Sequence, residues 1–464
     1  MTVDDAVLHR LIIRHPRRPA VLLAGDPARR LPAFASSDRH TADVDHITRM
    51  VRERLGLLTT VLRSLRHSDP LDPVVVRVHE LQAYGDEGPL PPDVRWYERD
   101  DAGARAEPND AEVVAEWLAT EAAAGPATDG RDWTRPGWYA EVREWLARVL
   151  DEAGAGDLQE IVQLRTWAFS CVLLVRTGAG DFYFKAVPES IRRECAVSAY
   201  LARHFPGAVA PVVATAPERR WFLTRALPGR SLQDVSDVAA WERTAAAYGR
   251  LQRACIERVS DLRELGCPTR EVDALPAAID ALVADPDALQ SGRPDGLSAA
   301  EVGRLRAWVP ELRRRCERLA ACGVPLTLEH GDLWPSNVLV DGAACAVIDW
   351  EDVAIGHPFV SLAPLTVGRG LCQPALASRE ATGQVERAYL SAFTGLAPTD
   401  RLVEALRLAG PLGFTDMAAR YRAQRPSVVR LHPWMRDLVP QTLRLALALL
   451  DATGAWAAGA HRGF

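Results

Sequence analysis

Leu328 to Pro358 reads LEHGDLWPSNVLVDGAACAVIDWEDVAIGHP. Its kernel is His330-Gly331-Asp332, with Asn337 five residues after the aspartate and Ile348-Asp349-Trp350 further on. Val338-Leu339-Val340 and Ala346-Val347-Ile348 are short apolar runs, and Asp341-Gly342 between them is a turn pair. The spacing predicts two buried strands joined as a hairpin. Asn337 stands just before the first strand and Asp349 just after the second, so the hairpin brings both to one mouth. Aspartate, asparagine and histidine are common at turns for local reasons alone. The bracketing hairpin and the IDWE that follows it raise this set above that background.

The order suits one kind of chemistry. A phosphoryl group in transfer needs little covalent help; it needs in-line positioning and neutralisation of charge. A base for the attacking hydroxyl and ligands for a divalent cation must therefore converge on one point. Asp332 is the expected base, and Asn337 and Asp349 are the expected metal ligands. His330 is expected to brace the loop through its ring hydrogen bonds. Glu351 and Asp352 either face the cleft or are solvated.

At these residues the chain resembles the aminoglycoside phosphotransferase and choline kinase-like family of small-molecule kinases. Gly331 stands where protein kinases carry arginine, and Asp349-Trp350-Glu351 stands at the position of their DFG. The resemblance covers about Trp138 to the C-terminus. It implies an α+β, bilobal protein-kinase-like fold, with a small β-rich N-lobe and a mainly helical C-lobe. It also implies ATP and Mg²⁺ as cofactors and a small-molecule hydroxyl as acceptor. The family often has an aspartate where this chain has Ser361, a difference expected to be structural.

One count supports the assignment upstream. Of 55 basic residues, 54 are arginine and one is lysine, Lys185. A compact ammonium fits as a point charge between phosphates, where a guanidinium fork is too wide. Lys185 falls in the third of three apolar strands, Ile161 to Leu164, Cys171 to Val175 and Phe182 to Val187. Glu194 follows in a helix expected over Ser190 to His204, and the lysine–glutamate pair is expected to orient the α- and β-phosphates. Arg193 beside it makes Glu194 the less secure member. The expected nucleotide loop, Arg165 to Ser170, has no glycine, so Ser170 is the phosphate contact the resemblance suggests. Trp221 to Leu223 leads to a hinge at Thr224-Arg225-Ala226, where Thr224 and Ala226 would offer backbone to adenine.

At 464 residues the chain suggests two or three domains, and its 48% apolar and 25% charged residues are those of a globular protein. A net charge of −6 predicts no general affinity for nucleic acid or anionic membrane. Its eight cysteines form no CxxC pair. With no signal peptide recognised, they read as reduced thiols of a cytoplasmic protein. The longest apolar stretch, near Leu443 to Leu450, contains Arg444 and is too short to span a bilayer.

Residues 1–120 read as a separate unit. His9 to His15 and Pro19 to Ala24 read as a hairpin. Ile47, Val51 and Leu55 mark a helix from Asp45 ended by Gly56, and strands follow at Leu57 to Leu65 and Val74 to Leu81. Arg49 to Leu57 looks like the Nudix box, REUxEExGU, in a small Nudix-like α/β domain. Met50 and Arg54 replace two of its three glutamates and leave Glu53. One carboxylate does not hold magnesium against a diphosphate, so the domain reads as degenerate. An unrelated small α+β domain is the other reading. Residues 121–137 read as linker, 138–228 as N-lobe and 229–464 as C-lobe. Trp138 to Ala153 is an amphipathic helix with Trp138, Val142, Trp145, Leu146, Val149 and Leu150 on its apolar side.

The C-terminal helices are expected at Val385 to Phe393, Arg401 to Leu408, Phe414 to Gln424 and Pro433 to Leu450. From Asp400 onward there are nine arginines and five carboxylates, which disfavours a polycationic acceptor. The sequence thus points to an ATP- and Mg²⁺-dependent small-molecule phosphotransferase, acting on an antibiotic, sugar or amino-alcohol hydroxyl. The alternative is a catalytically silent, nucleotide-binding pseudokinase, suggested by the glycine-free loop.

Overall fold

The computed structural model describes residues 7–37, 42–67, 75–85, 88–123, 130–367, 374–428 and 432–457. The chain divides into two compact units. One comprises 1–192, 213–226 and 430–433, the other 193–212, 227–429 and 434–464.

The first unit holds two sheets. Strands β1 (Val7–Arg14), β2 (Ala20–Ala24), β3 (Ala33–Ser36), β4 (Leu58–His67), β5 (Val75–Tyr84) and β6 (Val94–Glu98) form a mixed sheet in the order β4-β5-β1-β2-β6, with β3 also on β1. β1 runs parallel to β5 and antiparallel to β2 and β3. Its apolar residues split between two clusters, one under α1 (Asp45–Leu55), the other under α2 (Arg99–Arg105) and α3 (Pro108–Ala123). The expected hairpin and helix both form, and Gly56 ends α1 in the left-handed region at φ 67°, where glycine lacks the Cβ penalty.

The second sheet contains β7 (Leu158–Thr166), β8 (Cys171–Thr177), β9 (Gly180–Ala186), β10 (Val212–Ala216) and β11 (Trp221–Arg225), ordered β10-β11-β9-β8-β7. Helix α4 (Trp138–Glu152) covers one face, with all six residues of its predicted apolar side buried. Trp138 and Trp145 pack edge-on against Trp221 at 6.0 and 5.9 Å.

β7 is the edge strand of this sheet, and the front of the unit covers it. Val44 N–H donates to Leu164 O and Thr166 N–H to Ala42 O, both at 2.9 Å. The buried Gln163 side chain reaches β4, accepting from Val61 N–H at 2.7 Å and donating to Val61 O at 2.9 Å. An unpaired strand edge is a site of misassociation, and here it is closed by chain rather than by charge. The expected linker lies partly outside the described residues, at 124–129.

The second unit is mainly helical: α5 (Arg193–His204), α6 (Val238–Cys255), α7 (Val259–Glu264), α8 (Leu275–Val283), α9 (Ala299–Ala320), α10 (Leu362–Val367), α11 (Arg379–Leu390), α12 (Thr399–Val428) and α13 (Leu438–Ala457). Two small sheets carry the loops: β12 (Arg230–Ser231) with β15 (Val338–Asp341) and β16 (Ala344–Val347), and β13 (Thr269–Arg270) with β14 (Thr327–Glu329) and β17 (Ala354–Gly356). Where sequence predicts two helices over 401–408 and 414–424, a single α12 runs through Gly410-Pro411 and Gly413. Glycine and proline read locally as breakers, but at Gly413 the residue answers a packing need: a Cβ there would lie 2.5 Å from Val360 O.

Removing the Gln163 bridge should leave two buried backbone groups of Val61 unsatisfied. Gln163→Ala is expected to lower unfolding stability by about 2–4 kcal/mol, counting 1–3 for each orphaned group. Urea unfolding monitored by circular dichroism checks this, and a loss below about 0.5 kcal/mol would contradict it.

Candidate active site

β14 and β17 run antiparallel, with Leu328 opposite Ile355 and Glu329 opposite Ala354. The two loops that continue from them, His330-Gly331-Asp332 and Asp349 to Val353, therefore lie side by side. Their approach is so close that a Cβ on Gly331 would sit 2.5 Å from Asp352 O, and Gly331 has φ 81°. No other residue fits without moving one of the loops. Glycine at this point of the motif is thus a steric requirement of the fold.

His330 is fully buried and holds both loops. Its Nδ1 accepts from Asp332 N–H at 3.2 Å, so the ring proton is on Nε2, which donates to Ile348 O at 3.0 Å. Trp350 packs on the imidazole at 4.6 Å. The expected bracing role matches these bonds.

Asn337 ends a 3₁₀ turn, Pro335–Asn337, that leads into β15. Its Nδ2 donates to Asp332 O at 2.9 Å and to Asp332 Oδ2 at 3.3 Å. With the amide nitrogen so engaged, the amide oxygen is left as the acceptor or ligand atom. Asp332 Oδ1 accepts from Trp334 Nε1–H at 2.8 Å. The hairpin forms as predicted, Val338 pairing with Val347, and Ile348 N–H donates to Asn337 O at 2.9 Å. Asp349 follows directly. Its φ of 66° is left-handed, a conformation that aspartate tolerates better than most residues and that recurs at functional sites.

One carboxylate oxygen each from Glu194, Asp349 and Glu351 lies within 4.8 Å of the others. All are hard oxygen donors, as is the Asn337 amide oxygen, and magnesium is held by such donors while keeping several waters. The residues present thus fit a divalent cation. Glu194, in the first turn of α5, is buried, and it joins this group rather than lying on an exposed face.

The first unit carries the remaining expected residues. Phe182, Phe184 and Ala186 of β9 face the core, which puts Lys185 on the opposite face with Tyr183, between Val172 and Phe222 on the flanking strands. Ser170 is buried, and its Oγ accepts from Trp167 Nε1–H at 2.9 Å while Trp167 N–H donates to Ser170 O at 3.0 Å. This gives Ser170 a loop-locking role. Thr224 pairs with Tyr183 in the sheet, and Ala226 N–H donates to Asp181 O at 2.9 Å.

Beneath the loops lies a network that motif reading missed. Arg420 of α12 donates to Gly331 O at 2.6 Å, Asp352 Oδ2 at 2.7 Å and Asp416 at 3.0 Å. Arg270 bonds Asp352 O at 2.8 Å and Glu329 at 3.0 Å, and Arg193 bonds Glu351 O and Val353 O at 3.0 and 3.2 Å. Burial pushes the Asp352 carboxyl up, but Arg420, Arg270 and Arg193 outweigh it and hold it below the usual range. Burial raises Glu329, with Arg270 opposing. Ser361 Oγ lies 3.4 Å from Glu329, so an aspartate at that position would face another buried carboxyl. Arg193, noticed in the sequence only as a competitor to Glu194, ties α5 to the segment after Asp349.

Several charges of the C-terminal window are paired with residues outside it. Arg422 pairs with Asp285 and Arg444 with Glu301, each at 2.8 Å, and Arg420 joins the inner network. Two carboxylates of the same window, Glu404 and Asp451, are likewise paired with Arg318 and Arg304 outside it.

The sequence model described as "Phosphotransferase enzyme family" matches residues 167–401. No curated protein matches the chain. Among solved structures, a choline/ethanolamine kinase family protein from Mesorhizobium loti is 18% identical, with TM-score 0.46, covering 68% of this chain and 95% of its own. Choline kinase from Cryptosporidium parvum is 13% identical, with TM-score 0.45, covering 65% of this chain and 90% of its own. Spectinomycin phosphotransferase, solved with ADP and spectinomycin, is 10% identical, with TM-score 0.42, covering 66% of this chain and 98% of its own.

Two outcomes follow from the inner network and its rim. Arg420→Met is expected to cost about 3–5 kcal/mol, the penalty of leaving a buried charge unpaired. Adding Asp352→Asn should recover part of that in the double variant; equal loss in single and double variants would sink the assignment. His357 caps the turn Pro358–Ser361, its Nδ1 accepting from Phe359 N–H, and burial pushes its imidazole down to about 4. A folded-state value below the unfolded 6.5 means a contribution complete above pH 6.5 and lost as pH falls toward 4. His357→Asn keeps a cap and removes the titration, so its stability should fall less steeply over that window than wild type.

Proposed function

The chain belongs to the phosphotransferase enzyme family and is a small-molecule phosphotransferase, and from that premise we propose that it moves the γ-phosphoryl group of ATP onto a small-molecule hydroxyl with Mg²⁺. The observation that carries this reading is the Asn337 clamp. One amide nitrogen holds the Asp332 backbone and carboxylate, while the amide oxygen is left free to ligate beside Asp349. Base and metal ligands are thereby coupled through a single side chain.

Asp332 takes the hydroxyl proton as the oxygen attacks, with Trp334 Nε1–H fixing which carboxylate oxygen faces the acceptor. Asn337 and Asp349 would hold Mg²⁺, with Glu351 and Glu194 within reach of the same point; the ion supplies neutralisation of the phosphate charge. Lys185 orients the α- and β-phosphates and Glu194 orients Lys185. Ser170 and Trp167 shape the loop over the phosphates. Thr224 and Ala226 form the adenine hinge. The pseudokinase alternative gains nothing from a retained Lys185, Asp332, Asn337 and Asp349.

We read residues 1–120 as a degenerate Nudix-like domain, 121–137 as linker, 138–228 as N-lobe and 229–464 as C-lobe. Support for the first comes from α1 between β3 and β4 and from Glu53, which is exposed. Among the described residues no trio of metal-binding side chains includes Glu53. Seven described cysteines are free, which favours a reducing compartment. Among the described residues no helix is long and apolar enough to cross a membrane.

Nucleotide turnover across a panel of hydroxylated metabolites and antibiotics tests the reading. Asp349→Asn is expected to abolish Mg²⁺-dependent turnover with the fold near wild type. Lys185→Arg should lower kcat on the order of 100-fold, the consequence of phosphates displaced by about an ångström. Unchanged kcat in Lys185→Arg, or more than roughly a tenth of wild-type turnover in Asp349→Asn, would remove these assignments.

A further inference from the structure

Trp241, Ala245, Tyr248 and Leu251 recur at helical spacing, and all four are buried on α6. By pattern alone Tyr248 is core filling. Its hydroxyl says otherwise, because a buried phenol ordinarily has a partner for its oxygen, and here that oxygen accepts from His330 N–H at 3.2 Å. Gln252, one turn further along α6 and also buried, donates from Nε2 to Leu328 O at 2.9 Å and to Pro358 O at 3.2 Å. Helix α6 therefore grips the strand that leads into the loop of Asp332.

That bond completes a set. His330 N–H is held by Tyr248 of α6, Gly331 O by Arg420 of α12, and Asp332 N–H by the His330 ring. Three consecutive residues are each fixed at a backbone group, and a displacement of His330 passes to Asp332 through the imidazole. Beyond the phenol the polar groups continue in one direction. Ser361 lies beside the Tyr248 hydroxyl, and its Oγ is 3.4 Å from Glu329 Oε1, which Arg270 holds from the other side at Oε2. With its oxygen accepting from His330, the phenol has its own proton to offer Ser361, and Ser361 has one for the carboxylate.

We propose that Tyr248 is a positioning residue of the phosphotransferase site, its hydroxyl setting the backbone of His330 and through it the placement of Asp332. The inference rests on Asp332 acting as the base, and it adds α6 to the elements that place that base. Without the hydroxyl, His330 N–H loses this acceptor and faces the edge of a phenyl ring in a buried setting. The loop then moves to recover a partner. In a site that works by placement, a displacement of about an ångström costs on the order of 100-fold in rate, and a smaller one costs proportionately less.

Tyr248→Phe in the full-length protein tests this, because it keeps the ring and its stacking on Tyr389 at 6.4 Å and removes only the hydroxyl. Hydrogen–deuterium exchange, measured by mass spectrometry without nucleotide or acceptor, is expected to quicken about tenfold in peptides spanning 327–333, the effect of one lost hydrogen bond. Exchange in α12 and α13 should stay as in wild type. In turnover, kcat is expected to fall about tenfold with KM for ATP within about twofold, the pattern of lost placement rather than lost binding. Adding Ser361→Asn supplies a substitute: the amide oxygen accepts from His330 N–H and the amide nitrogen donates to Glu329. The double variant is expected to recover most of both effects. Unmoved exchange over 327–333 beside an active wild type overturns the role of Tyr248 alone, as does exchange that quickens throughout the second unit. A loss that the double variant leaves in place makes Tyr248 a packing residue and also overturns it. A wild type that turns over no nucleotide with any acceptor removes the phosphotransferase reading, and this role with it.

Discussion

The contact on which the second unit depends is the approach of two backbones, Gly331 against Asp352 O. Loops this close bring carbonyls together and would separate without cations between them. Arg420 and Arg270 supply those cations: one bonds the carbonyl of Gly331 and the carboxylate of Asp352, the other the carbonyl of Asp352. Arg420, Arg270 and Arg193 with the carboxylates Asp352, Asp416 and Glu329 make a largely buried network whose charges balance. Burial of any one alone would be costly. The glycine and the arginines are one device, because a side chain at 331 would close the space in which Arg270 reaches Asp352.

Order spreads upward from that base. His330, with its tautomer set by Asp332 N–H, fixes Ile348 and hence the start of the strained turn at Asp349. Trp334 carries order in from the helices. Its ring sits among Phe414, Met417, Leu445 and Ala446, while its N–H holds the Asp332 carboxylate. Helices far along the chain thus position the Asp332 carboxylate through Trp334. Preorganisation of this kind lets a site act through placement and charge rather than through covalent chemistry.

The front of the chain is built into the first unit more deeply than a tethered domain would be. Gln163 satisfies the backbone of Val61 across the boundary, and residues 42–44 bond the edge strand β7.

The kernel of the site was legible in the sequence because its geometry is local. Asp332, Asn337 and Asp349 are spaced by one turn and one hairpin, and periodicity with turn chemistry places such elements well. The same holds for α1, for α4 with its six buried apolar residues, and for Lys185 on the outward face of β9. What sequence could not supply depends on partners distant in the chain. Arg420 and Arg270 look like two of many arginines until the fold brings them to Asp352, 68 and 82 residues away. Ser170 reads as a phosphate contact from its place in the loop, and only the fold shows that its Oγ also accepts from Trp167 Nε1–H. Gly410-Pro411 and Gly413 read as a break, whereas α12 runs through them and Gly413 serves the close approach of Val360 O. Local patterns determine which elements form and which residues stand at their ends. The burial of charge and the pairing of arginines are set by long-range packing, and only the tertiary structure decides them.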